Sequence, residues 1–307
     1  PMNIRAPFRR PIAAGLSAIL LLISAGTARA ANPYIGDWAL TIPGGGAGWL
    51  GVDEEDGKLS ASIMWGAGSV LPVDSVKIEG DTLVVSRSMG RARGGPRGAE
   101  TQIINANRDG DDLKLTTVTK RSDGSESMKQ DFTGHKQPLL PPAPDLSKVR
   151  FGEPLQLFNG HDLTGWRLTD PHADNGWSVK DGLLVNDPVH LSGKHYGNLR
   201  TDQEFADFNI TLETNVPKGG NSGVYLRGIY ECQVADTYGR KLDPHNMGAI
   251  YTRITPSEAA EKPPGQWQTM DITFVDRHVT VILNGKKIID NQPIRGCTGG
   301  ALWSDVT

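Results

Sequence analysis

The 307-residue sequence predicts an all-β protein built as two units. Three observations predict it. Apolar and polar residues alternate at a period of two through most of the chain, as they do in half-buried strands. Thirty-seven glycines and 20 prolines punctuate that alternation with turns. No amphipathic pattern longer than two helical turns interrupts it. Charged residues are 22% and the formal net charge is −3, a balance that argues against nucleic-acid binding driven by charge.

At the N-terminus, Arg5, Arg9 and Arg10 precede a short apolar run over 13–25, followed by Ala28-Arg29-Ala30. This order reads as a secretory signal peptide over 1–30 with an Ala-x-Ala cleavage site. It predicts a periplasmic or secreted protein. The apolar run is too short and too small in side chain to be a comfortable membrane span. Cys232 and Cys297 allow one intramolecular disulfide. Cys232 also falls on the apolar face of its strand, which suits a plain buried thiol equally well.

Residues 33–135 read as a small β-barrel or β-sandwich. Strands fit near Trp38, 48–52, 59–65, 73–78 and 82–86, with turns at Gly44-Gly45-Gly46 and Glu79-Gly80-Asp81. A basic loop over 89–98 follows. Further strands fit 100–107 and 112–120, and a last one 127–133. The unit contains no catalytic cluster. Residues 137–147 form a linker: Pro138, Pro141, Pro142 and Pro144 forbid a helix or a central strand there.

Residues 148–307 return to sheet. Short strands fit 155–158, 177–179, 183–185 and 199–201. Longer ones fit 205–214, 248–253, 266–274 and 279–283, the last closed by the Asn284-Gly285 hairpin turn. The stretch 221–236 organises the unit. It reads as one or two strands in which Val224, Leu226, Gly228, Tyr230, Cys232 and Val234 share one face, while Tyr225, Arg227, Ile229, Glu231, Gln233 and Ala235 share the other. The preceding strand leaves Glu213 on its polar side. If both strands belong to one sheet, Glu213, Arg227, Glu231 and Gln233 line a polar surface suited to a sugar. The bland alternative is a cross-strand ion pair on a solvated face.

Several ordered motifs carry a resemblance: Leu157-Phe158-Asn159-Gly160, Asp162-Leu163-Thr164-Gly165-Trp166, Trp177, Asp181-Gly182, the 221–236 stretch, Gly248-Ala249-Ile250-Tyr251 and Trp267. Over about 153–302 the chain resembles the 3-keto-disaccharide hydrolase family. The resemblance implies a concanavalin-like (laminin-G-like) jelly roll with a carbohydrate site on its concave face. It also implies cleavage of 3-keto-glycosides. The ketone at C3 acidifies the C2 proton, a base removes that proton, the anomeric oxygen leaves, and water adds back. A non-catalytic carbohydrate-binding module is the competing reading, because the same fold serves both. After Gly299-Gly300-Ala301-Leu302 the resemblance implies one or two further strands.

On this sequence the resemblance, with the strand parity, assigns Glu231 and Arg227 to catalysis. A loop flanked by His190 and His195 offers His195 as an acid or base near the site. Glu213, Gln233, Tyr225 and Trp166 are the expected substrate-binding residues, Trp166 reading first as a core anchor. A divalent cation such as Ca²⁺ on Glu231, Asp236 and Glu213 is the expected cofactor, with Arg227 alone as the alternative at the C3 oxygen. No organic cofactor is expected. The seven histidines show no regular metal spacing, and each single one, including His161, His172 and His245, reads first as a surface histidine.

Overall fold

A computed structural model describes residues 2–5, 32–89, 100–121, 123–188 and 193–306. The apolar run and cleavage site of the expected leader, most of the basic loop after Met89, and His190 lie outside them. The described residues are all-β. They contain no helix, and so none long and apolar enough to cross a membrane.

The chain enters with β1 (Asn3–Arg5). It then builds an antiparallel run of β2 (Gly36–Thr41), β3 (Ala47–Glu55), β4 (Lys58–Trp65), β5 (Leu71–Pro72), β6 (Ser75–Glu79), β7 (Thr82–Ser88), β8 (Thr101–Asp109), β9 (Asp112–Lys120) and β10 (Gln130–Lys136). These nine strands form one sheet in the order β5-β4-β3-β2-β10-β9-β8-β7-β6. The sheet curls until β6 meets β4, giving a half-barrel. Its inner face is the predicted alternation made solid: Trp38, Leu40, Leu50, Ile63, Leu83, Ile104 and Leu115 are all buried together. The last strand starts at Gln130 rather than 127. A turn closes first, with the Arg121 N–H on the Ser125 carbonyl at 2.8 Å and a bridge from Lys120 to Glu126.

Beyond the prolines come β11 (Leu155–Gln156), β12 (Trp166–Leu168), β13 (Trp177–Lys180), β14 (Leu183–Asn186), β15 (Leu199–Thr201) and β16 (Phe208–Asn215). The organising stretch supplies β17 (Asn221–Leu226) and β18 (Tyr230–Ala235). Last are β19 (Trp267–Val275), β20 (His278–Leu283) and β21 (Lys286–Pro293). A six-stranded antiparallel sheet runs β11-β1-β16-β19-β20-β21, and β12-β15, β13-β14 and β17-β18 form separate two-stranded sheets. Within the expected leader, β1 therefore pairs with β16 and β11, and Ile4 is buried.

The backbone resolves one local expectation and changes another. The alternation of 221–236 folds back on itself as a hairpin, because Arg227 and Gly228 take left-handed backbone angles of +57° and +71°. The expected strand over 248–253 is instead a series of turns, broken by positive φ at Gly248 (+78°) and Thr252 (+59°). Its centre still bridges Ile250 to Cys232. Cys232 and Cys297 are both buried free thiols, not a disulfide.

One core lies between the six-stranded sheet and the β17–β18 hairpin: Phe208, Leu212, Leu226, Tyr230, Cys232, Ile272, Phe274 and Val281. Ala47, Trp49 and Met64 of the half-barrel belong to the same core. Around it the Arg295 guanidinium forks between Asp37 (Nη2 to Oδ1, 2.9 Å) and Asp53 (Nη1 to Oδ2, 3.0 Å). Arg253 stacks over Trp49 at 4.1 Å and donates to the Cys297 carbonyl at 2.8 Å. Burial lowers the Arg253 guanidinium to about 10. The proline-rich segment lies against the molecule. Its carbonyls accept from Arg277 (Pro138, 3.0 Å) and Asn291 (Pro144, 3.0 Å), because an extended proline run has no ladder to satisfy them.

Candidate active site

The β17–β18 ladder sets Tyr225 opposite Glu231 and Gly223 opposite Gln233, all on one face. The other edge of β18 is closed by the 248–251 turns. Gln233 N–H donates to Ala249 (2.9 Å), Gly248 N–H to Gln233 (2.8 Å) and Tyr251 N–H to Glu231 (2.9 Å). The Glu231 N–H donates to the Thr298 hydroxyl at 2.8 Å. With both backbone groups tied, the Glu231 side chain is held in a narrow, half-buried slot.

Its carboxyl receives the Tyr225 hydroxyl at 3.0 Å, and the same hydroxyl is 3.0 Å from the Gly299 carbonyl. A phenol has one proton to donate, so it serves one acceptor at a time. When Glu231 is ionised the phenol donates to the carboxylate. When Glu231 is protonated the phenol can turn to Gly299 and accept from the acid. Burial is the main cause that lifts Glu231 to about 7, against the lowering effect of the Tyr225 bond. Burial, with the neighbouring Glu231 charge, also raises the Tyr225 phenol, which keeps its proton. Gly223 leaves the room: a Cβ there would fall inside the Glu231 carboxyl.

Tyr251, whose N–H closes the Glu231 edge, packs against a histidine that reads first, from the sequence, as a surface residue. The His245 ring meets Tyr251 edge-on, centroids 5.3 Å apart. Its Nδ1 is 3.2 Å from Asp243 Oδ1 and its Nε2 is 3.1 Å from the Ser69 hydroxyl of the half-barrel. The 66–70 turn that carries Ser69 is fixed to the same region by Val70 N–H on the Thr252 hydroxyl (3.3 Å) and Gly300 N–H on Gly66 (3.3 Å). Residues of both units thus meet at the 245–252 and 299–300 segments, which in turn contact Glu231 and Tyr225. A lone histidine and a lone serine 176 residues apart give no signal in a sequence.

The other expected residues scatter. Arg227 sits in the hairpin turn, off the strand face, and forms no ion pair with Glu231. Gln233 is on the right face but buried, with its carbonyl oxygen accepting the next backbone N–H at 3.1 Å. His195 belongs to a different loop, its N–H on Asp174 at 2.9 Å. Trp166 anchors its own turn through Nε1 on the Leu157 carbonyl at 2.7 Å. Glu213 is exposed on the outer face of the six-stranded sheet, in a shallow hollow of about 430 Å³ shared with Thr211, Thr269 and Asp271. Asp236 accepts the Gly219 N–H at 2.8 Å, and five strand residues at about 3.3 Å each put it about 16 Å along the chain from Glu231. Glu231, Asp236 and Glu213 therefore do not fit one cation, and among the described residues no three His, Cys, Asp or Glu gather as a metal group.

The sequence profile described as a 3-keto-alpha-glucoside-1,2-lyase-like domain matches residues 153–301. Three solved proteins of Parabacteroides distasonis, provisionally described as glycosyl hydrolases, are similar to the chain. The first is 32% identical over 48% of this chain and 70% of its own, with a TM-score of 0.39. The second is 24% identical over 43% and 70%, TM-score 0.35, and the third 28% over 41% and 66%, TM-score 0.33. No curated protein matches. Through residues 153–301 the chain belongs to the 3-keto-disaccharide hydrolase-like family.

Proposed function

We propose that this protein cleaves the glycosidic bond of 3-keto-glycosides or 3-keto-disaccharides, with Glu231 as the base that removes the C2 proton. The observation that carries the reading is the Glu231 carboxyl itself: half-buried, lifted to about 7 and held by one phenol. A carboxylate of ordinary acidity is a weaker base for a proton α to a ketone. One raised toward neutrality is matched to that task.

In this reading the C2–H electrons form the enolate, collapse to C1=C2 and expel the anomeric oxygen. Water then adds at C1 and Glu231 returns its proton to C2, so the net change is hydrolysis. Tyr225 follows the Glu231 proton by turning between the carboxyl and Gly299. No residue is assigned to the C3 oxygen, because the turn at 227–228 carries Arg227 off the Glu231 face. No step is assigned to a metal ion, because the three expected carboxylates lie apart. The concanavalin-like jelly roll stays the proposed topology, and the leader of 1–30 the reason for proposing a periplasmic or secreted enzyme.

The test is to incubate the protein with a 3-keto-disaccharide and with its unoxidised parent. Turnover of the oxidised sugar alone supports the reading. Binding of either without turnover supports the carbohydrate-binding module instead.

A further inference from the structure

We propose that the two units complete one site: His245 protonates the departing anomeric oxygen, and Ser69 of the half-barrel, with Asp243, fixes the ring that does so. The inference rests on the reading of Glu231 as the base.

Elimination needs an acid as well as a base. Unless the leaving oxygen receives a proton as the C1–O bond breaks, an alkoxide must be expelled. Glu231 cannot serve, since in that step it is taking the C2 proton. Tyr225 cannot serve either, because its one proton is committed to the Glu231 carboxylate or to Gly299. Histidine is the side chain whose proton exchange falls nearest neutrality, and His245 is the one whose ring packs on the Tyr251 that closes the Glu231 edge.

The geometry also selects the nitrogen. Asp243 takes Nδ1 at 3.2 Å and is itself anchored by the His245 N–H at 2.7 Å. That leaves Nε2 as the nitrogen that exchanges the proton, and there the Ser69 hydroxyl stands at 3.1 Å. His245 and Asp243 side chains keep 44% and 57% of their exposure, so a substrate can reach the ring. Ser69 is a positioning residue supplied across the junction, on a turn pinned to Thr252 and Gly300. The proton balance closes. His245 gives Nε2–H to the leaving oxygen as Glu231 takes the C2 proton. The incoming water then returns one proton to His245 while Glu231 reprotonates C2.

The test compares an alkyl 3-keto-glucoside with a 4-nitrophenyl 3-keto-glucoside, whose phenolate leaves without protonation. His245→Asn is expected to lower kcat on the alkyl substrate about 10²–10⁴-fold and on the nitrophenyl substrate less than about tenfold. Ser69→Ala should show the same leaving-group dependence at about tenfold on the alkyl substrate, consistent with loss of orientation. Equal losses on both substrates, or none, overturn the inference. If His245→Asn melts early, Ser69→Ala decides alone by the same ratio. Wild-type turnover with a leaving-group-insensitive His245→Asn refutes the acid only. A wild type inert on both substrates refutes the base reading and this inference with it.

Discussion

Glu231 is lifted from 4.5 to about 7 chiefly by burial. In the native state it holds a proton that the unfolded chain releases between those two values. Its contribution to stability is thus full below about pH 4.5 and lost as pH rises through 7, a swing of about 1–3 kcal/mol once its partial exposure is allowed for. Activity runs the other way, because the base must be ionised. We predict that kcat/KM climbs through an acidic limb near pH 7 while the melting midpoint falls over the same window. Glu231→Gln should flatten the stability profile and remove most turnover. Tyr225→Phe deletes the bond that lowers the Glu231 value, so its acidic limb should move to higher pH, by about half a unit to one unit. A Tyr225→Phe limb at lower pH contradicts this account. Glu231 and Tyr225 were legible as sharing one face from strand parity, and the hairpin then sets them opposite each other. His245 and Ser69 were not, because only the fold joins a turn of one unit to a loop of the other.

At the level of the element, the β17–β18 hairpin was legible as alternating chain, but its turn was not. Single-strand parity put Arg227 beside Glu231 and Ile229 on the polar face. The left-handed pair Arg227–Gly228 takes the arginine out of the sheet and buries Ile229. The strand expected over 248–253 failed for the same reason, since positive φ at Gly248 and Thr252 cannot be read from alternation. Gly223 shows what the hairpin is shaped for. Its backbone angles are ordinary, so its missing side chain serves space, not conformation. Gly223→Ala should push the Glu231 carboxyl aside and lower kcat about 10–100-fold, with a melting midpoint within a few degrees of the parent. Unchanged kcat would show that the carboxyl position is not critical.

Across the whole molecule, the composition was legible as all-β, and the prolines at 138–144 as a segment without strand or helix. What the sequence withheld is that the halves share a core. Trp49 is buried against Gly296 and under Arg253, and Ala47 and Met64 join it there. Trp49→Ala should therefore destabilise the protein by about 3–5 kcal/mol, read as one shifted unfolding transition. Proteolysis in the 137–147 segment should leave two fragments that still co-elute, held by Arg295 on Asp37 and Asp53. Separation of the fragments at physiological salt would show that the units are independent. The proton at C2 tests the central assignment most directly. In D₂O, a 3-keto-glycoside recovered short of full turnover, and the 3-keto sugar released, should carry deuterium at C2 with wild-type protein and none above background with Glu231→Gln. Labelling of C2 that persists undiminished in Glu231→Gln would contradict the assignment of Glu231 as the base.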